Sequence, residues 1–210
     1  MKIAVLSESP ADEAAIKILV DGVLGRETKV VSSARFRPAG WSAVINILPT
    51  FLKFLHYQTD ADALAVVVDS DDSPVHQRSH EDIAGGDSHC RLCLLRNIAD
   101  TELSRLPSIS GRNRIKTACG LAVPSIEAWY QCGLDPHVNE ATWTRKLQSE
   151  TITYTRITLK SDVYGTERPS IDIEKACAIK AAGRLTDNLS MLENLFPNGF
   201  GRFARDVRNW

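Results

Sequence analysis

The stretch Ala63-Leu64-Ala65-Val66-Val67-Val68-Asp69-Ser70-Asp71-Asp72 decides the fold. Its first six residues form an unbroken, valine-rich apolar run, the pattern of a strand buried on both faces within a parallel sheet. Upstream, Lys2–Leu6 reads as a second buried strand. Ser9-Pro10 follows it with an N-cap serine and a proline at the first helical position, so a helix is expected to start there. Ile16, Leu19, Val20, Val23 and Leu24 fall at helical spacing, and Gly25 stands where a C-terminal stop belongs. Thr28–Ser32 fits a strand and Trp41–Tyr57 a helix, with Pro49 as a kink or break.

Downstream of the quoted stretch, Asp69–Gly86 is polar and reads as a loop or insertion. Arg91–Leu103 reads as a helix, Ile115–Val123 as a strand, and Pro124–Cys132 as a short helix opened by its proline. Strands alternating with helices at these separations predict βαβ units, hence an α/β fold with a mostly parallel sheet and helices on both faces. Asp135–Ser170 is less regular, Ile171–Leu195 has the pattern of a long amphipathic helix interrupted at Gly183, and the segment to Trp210 is left open. Residues 1–135 are therefore expected to form the α/β domain. Residues 136–210 add a C-terminal helical extension packed on it as one structural unit.

A chain of 210 residues, 43% hydrophobic and 24% charged, has ordinary globular composition and can bury a core without staples. Its five cysteines are an odd number scattered along the chain, which argues against a disulfide framework and for a reducing compartment. No apolar stretch approaches the roughly 20 residues that span a bilayer. The short run Ile3–Leu6 is neither a secretory h-region nor a transit peptide, so a cytoplasmic location is expected.

The net charge of −1 gives no global attraction to nucleic acid, so such binding needs a local basic surface. One candidate is Arg105, Arg112, Arg114 and Lys116; another is the tail, where Phe200, Phe203 and Trp210 interleave with Arg202, Arg205 and Arg208. For both, packing is the favoured explanation: a solvated loop and a helix burying its aromatics. Trp41, Trp129 and Trp143 likewise read as core residues.

Acidic residues fall where strands are expected to end: Glu8, the pair Asp69 and Asp71, and Glu127. Ligands of parallel sheets bind beyond the carboxyl ends of the strands, so these groups should meet at one edge. Side-chain alternation along an extended backbone would put Asp69 and Asp71 on the same side, close enough to share a hard cation such as Mg²⁺ or Mn²⁺. The plainer account makes Asp69-Ser70-Asp71-Asp72 a turn with side-chain caps and Glu127 a helix N-terminal acid. Asp12 and Glu13 fit helix capping better than metal binding, since Ser9 with Asp12 resembles a capping box.

Taken together, Glu8 after the first strand, Asp69-x-Asp71 after a later one, and Pro124-Ser-Ile-Glu-Ala-Trp129 after the next resemble the TOPRIM domain. The likeness is to small stand-alone TOPRIM-like proteins of prokaryotes and to the nuclease domain of the OLD family. It covers roughly residues 1–135, and Lys160-Ser-Asp-Val-Tyr-Gly165 is a further match. The resemblance implies that Glu8 is a general acid/base or metal ligand, that Asp69 and Asp71 bind Mg²⁺, and that Glu127 helps with a second metal. It also implies hydrolysis of DNA or RNA phosphodiester bonds, with a role in defence against foreign DNA as for similar small proteins. No Gly-x4-Gly-Lys-Ser/Thr is present, so any energy coupling would need a separate ATPase partner. Topoisomerases of this type add a nucleophilic tyrosine domain, for which the chain has little room.

A receiver-like phosphoacceptor module is the rival from another class, because it too uses a strand-end acid and an aspartate after a valine-rich strand. A non-catalytic TOPRIM-like subunit is a third reading. Lys116 and Lys160 are candidates for charge near a scissile phosphate. Finally, His76, His80, His89, Cys90 and Cys93 include zinc-ligand spacings, but Cys93 falls among helical leucines, where free cysteine is a small core residue. Zinc is therefore left out of the expected site.

Overall fold

The computed structural model describes residues 1–31, 36 and 38–210. In chain order the elements are β1 (Lys2–Leu6), α1 (Pro10–Leu24), β2 (Lys29–Val30), α2 (Trp41–Gln58), β3 (Ala63–Asp69), α3 (Arg91–Arg105), β4 (Lys116–Ala122) and α4 (Ile126–Tyr130). They continue with α5 (Glu140–Leu147), α6 (Arg156–Tyr164), α7 (Ile171–Thr186), α8 (Leu189–Leu195) and α9 (Phe200–Arg208). A 3₁₀ turn, Arg78–Asp82, lies between β3 and α3.

The strands form one four-stranded, all-parallel sheet in the order β2-β1-β3-β4. Leu6 pairs with Val66 and Asp69 with Ala122, so the carboxyl ends of β1, β3 and β4 share an edge. From β1 the chain first steps outward to β2, then crosses back to β3. This reversal puts a topological switch point between β1 and β3, where open parallel sheets leave a crevice for ligands. Right-handed crossovers in opposite directions send α1 and α2 to opposite faces. Accordingly α1 packs with α9 on one side while α2 packs with α3 on the other.

Valines 66, 67 and 68 are buried, as the unbroken apolar run requires of a strand covered on both faces. Helix α1 begins where Ser9-Pro10 predicts: Ser9 is extended, its hydroxyl accepts the Ala11 N–H, and left-handed Gly25 ends the helix. Pro49 sits inside α2 without breaking it. The buried stripe Val44, Leu48, Phe51, Leu52 and Leu55 holds the helix together across the missing hydrogen bond. Helix α4 starts at Ile126 and not at Pro124, because Ser125 is still extended at φ −150°. Of the predicted strand Thr28–Ser32 only Lys29–Val30 pairs, and Ser32 lies outside the described residues.

The C-terminal helices complete the core. Helix α7 runs against α1, and α9 against β4, with Phe196, Phe200, Phe203 and Leu185 joining the same buried cluster as the strands. Their contact with β4 is close: a Cβ on Gly199 would lie 2.0 Å from the Leu121 carbonyl oxygen. The expected long helix Ile171–Leu195 divides at Asp187-Asn188, not at Gly183, because Asn188 caps α8 by accepting the Met191 N–H. Among the described residues, no helix is long and apolar enough to cross a membrane.

Candidate functional site

Glu8 follows β1 and Asp69 ends β3, so the two straddle the switch point. The Glu8 carboxylate accepts the Asp69 N–H at 2.9 Å. Burial raises its pKa; the Asp69 N–H, Arg91 and the Trp41 N–H oppose that rise, while the charge of Asp71 adds to it. Asp69 in turn accepts the Ile126 N–H at 2.9 Å, tying the end of β3 to the start of α4. Burial, followed by the charges of Glu127, Glu8, Asp12 and Asp71, holds the Asp69 carboxyl well above the ordinary aspartate range.

Glu127, one residue into α4, is 4% exposed. Its Oε1 lies 3.9 Å from Lys160 Nζ on α6, the Tyr164 hydroxyl interacts with the carboxylate, and its buried Oε2 has no well-formed hydrogen bond among the described residues. An unpartnered buried carboxylate oxygen is costly unless a cation or proton meets it. Asp12 adds a half-buried carboxylate beside Glu127. The expected capping box is not what holds it: the Ser9 hydroxyl bonds Ala11, and Asp12 turns toward the sheet edge, 3.5 Å from the Tyr130 hydroxyl. Burial and then the charges of Glu127, Glu174 and Glu8 push the Asp12 pKa well up, with Lys160 opposing. Asp12 thus belongs to the acidic group, and Glu174, from the first turn of α7, is a member the sequence did not single out.

Asp71 is placed differently from the strand-alternation expectation. β3 ends at Asp69, and Asp71 takes a left-handed backbone with φ +50°, fixed by its N–H on the Pro124 carbonyl at 2.9 Å. Alternation therefore does not direct its side chain. The Asp71 carboxylate pairs with Arg91 at 2.8 Å and with Arg156 of α6. Arg91 also donates to the Asp69 carbonyl at 2.7 Å, lies 4.0 Å from Glu8, and stacks over Trp41 at 5.1 Å. Neither arginine carried a sequence signal; the fold alone brings them to this edge.

The site thus has two parts. On one side Asp71 is neutralised by two guanidinium groups. On the other, Asp12, Asp69 and Glu127 act on one another through their charges, with Glu8 between the parts and Lys160 3.9 Å from Glu127. Crowded, desolvated oxygen donors suit a hard divalent cation. The raised pKa values of Glu8, Asp12 and Asp69 and the unpaired Glu127 Oε2 are the chemistry such an ion answers, but among the described residues the ligand atoms that close to within 4.8 Å of one another belong to His76, His80, Cys90 and Cys93 and not to these acids.

The other basic candidates lie elsewhere. Lys116 opens β4 at the opposite end of the sheet and donates to the Asn209 carbonyl at 3.1 Å. Arg112 donates to the carbonyls of Leu55, His56 and Ala61, stitching the end of α2 to the approach of β3. In the tail, Phe200 and Phe203 are core, Arg202 pairs with Glu81 and Arg208 with Glu193. Trp129 and Trp143 are buried, whereas Trp41 is half-buried under Arg91. Comparison with family models, curated proteins and solved structures returns no match, so what the site does rests on its own geometry.

Proposed function

We propose that this chain is a Mg²⁺- or Mn²⁺-dependent phosphodiesterase acting on nucleic acid, of the TOPRIM type its sequence resembles. The observation that carries the proposal is the group of carboxylates at the switch point, Glu127 buried and Glu8, Asp12 and Asp69 half-buried, with one Glu127 oxygen unpartnered among the described residues. Asp69 and Glu127 would hold the metal, with Glu8 and Asp12 beside them. The ion would supply a polarised phosphoryl oxygen and an activated water.

The protein's own groups have complementary tasks. Glu8 keeps part of its carboxylate open to solvent and has a raised pKa, which suits it to take up and return a proton. Arg91, Arg156 and Lys160 stand along the same edge and can pair with backbone phosphates. A cytoplasmic role in defence against foreign DNA, with a separate ATPase as partner, accompanies this proposal. Purified protein is expected to nick DNA or RNA with Mg²⁺ or Mn²⁺ and to lose that activity in Glu8→Gln and Asp69→Asn. Variants that fold and cut as well as the parent would overturn it.

One observation favours a second reading, a non-catalytic subunit of the same fold: Asp71 is already closed by two arginines. Calorimetric titration decides, since a protein that binds no Mg²⁺ but forms a stable complex fits that role. The receiver-like reading is weakened because Asp69 spends an oxygen on the Ile126 N–H. A stable acyl phosphate on Asp69 after exposure to a small phosphodonor would restore it.

A further inference from the structure

Between Asp71 and Cys90 the chain has almost no core of its own: the buried side chains there are Val75, His76 and His80. A stretch so poor in apolar anchors needs another means of order. Both histidines turn inward to meet Cys90, the N-cap residue of α3, and Cys93 in its first turn. One ligand atom from each of the four lies within 4.8 Å of all the others, and all four residues are buried. Cys93, which its leucine neighbours mark as a simple core residue, instead turns its thiol to this cluster. His89 remains exposed and outside it.

We propose that His76, His80, Cys90 and Cys93 form a structural zinc site. The His76 Nδ1 lies 3.6 Å from the Cys90 sulfur and 3.4 Å from the Cys93 sulfur. Zinc bonds of about 2.3 Å to sulfur and about 2.0 Å to nitrogen at tetrahedral angles put ligand S and N about 3.6 Å apart. The two His76–sulfur spacings are thus those a tetrahedral ion would set, and the remaining ligand atoms lie within 4.8 Å.

The groups behind the ligands agree. His80 Nε2 is 3.5 Å from the Asp87 carboxylate, while its buried Nδ1 has no hydrogen-bond partner among the described residues. His76 Nε2 lies 4.0 Å from Glu81. A carboxylate behind the far nitrogen of a histidine orients it for metal binding, and Asp87 stands so behind His80, whereas Glu81 lies beyond hydrogen-bond distance of His76. Gly86 closes the loop over the cluster: its φ is +74°, and a Cβ there would lie 2.7 Å from the Cys93 Cβ. A larger residue could not make that approach.

Sulfur and imidazole donors select zinc over the hard cation proposed for the carboxylates. Binding of Zn²⁺ releases the two thiol protons, and two thiolates with two neutral imidazoles leave the buried centre uncharged. The closed set of four protein ligands makes the ion a staple. It fastens the loop after β3 to the start of α3, where Arg91 follows Cys90 and reaches Asp69 and Asp71. The assignment itself does not depend on nuclease activity.

The test is the metal content of full-length protein purified with reductant and without chelator. One zinc per chain is expected. Cobalt substitution should give the visible bands of a tetrahedral site with thiolate charge transfer. Cys90→Ser and His80→Ala should lose zinc while Cys177→Ser keeps it, and Asp87→Asn should weaken zinc binding about 10-fold in chelator competition. Should the ligand variants fail to fold, zinc content and the cobalt spectrum of the parent protein carry the test. Substoichiometric zinc, a metal-free Cys90–Cys93 disulfide, an octahedral cobalt spectrum, or equal zinc loss in Cys177→Ser would each overturn the proposal.

Discussion

Asp71 combines two demands that a single substitution series can separate. Its left-handed backbone, φ +50°, is tolerated by Asp and Asn but strained for β-branched residues. Its carboxylate also balances Arg91 and Arg156. Asp71→Asn should therefore fold normally yet change the charge of the edge, whereas Asp71→Val should lose about 1–3 kcal/mol more in urea denaturation. Equal stability of the two variants would show that the backbone strain is unimportant. Gly199 presents a different constraint, since its φ is an ordinary −89° and the difficulty is space. With a Cβ 2.0 Å from the Leu121 oxygen, Gly199→Ala must push α9 off β4. A loss of about 2–3 kcal/mol or more is expected from such overpacking, read as a lowered denaturation midpoint.

At the scale of elements, Arg112 shows why a basic cluster need not be a binding surface. Its guanidinium serves three carbonyls, two from the last turn of α2 and one from Ala61 ahead of β3. Arg112→Ala should cost about 2 kcal/mol, the range for hydrogen bonds from a charged donor, and leave nucleic-acid affinity unchanged. A variant with parent-like stability and weaker binding would reverse that assignment. The same contrast explains which elements the sequence makes legible. β1, β3 and α1 are set by local signals: apolar runs, Ser9-Pro10 and Gly25. The break between α7 and α8 follows Asn188, whose capping bond outweighs the helix weakness of Gly183. Helix α9 is harder to read, because Gly199 and Gly201 suggest a loop until the close fit to β4 is known. Pro124 misleads in the other direction, since proline at a helix start and proline two residues ahead of one have the same local pattern.

For the whole molecule, the edge that gathers the acids is legible from strand ends, while the composition of the site is not. Glu8, Asp69 and Glu127 follow from the parallel-sheet rule. Asp12 is hidden because an acid in a first helical turn already has a local explanation, and Arg91, Arg156 and Glu174 arrive only through the packing of α3, α6 and α7. What results is a charge distribution whose cost is global. Glu8, Asp12 and Asp69 have raised pKa values, and burial lifts Glu140, which accepts from Asn198 and Gly199, to about 7. For each of these acids the native state holds its proton more tightly than the unfolded chain does. Stability from this source is thus complete below the unfolded values near 4 and is lost as pH rises through the native ones. Metal-free protein should therefore melt at progressively lower temperature as the pH is taken from about 5 to about 8. Asp69→Asn, which keeps its oxygen for the Ile126 N–H, should flatten that slope and raise the metal-free melting temperature near neutral pH. Mg²⁺ competes with the same protons, so its stabilising increment should grow with pH in the parent protein and vanish in Asp69→Asn. Differential scanning calorimetry across that range, with and without Mg²⁺, reads all three. A Mg²⁺ increment independent of pH, or retained in Asp69→Asn, would mean that the ion binds somewhere other than this edge.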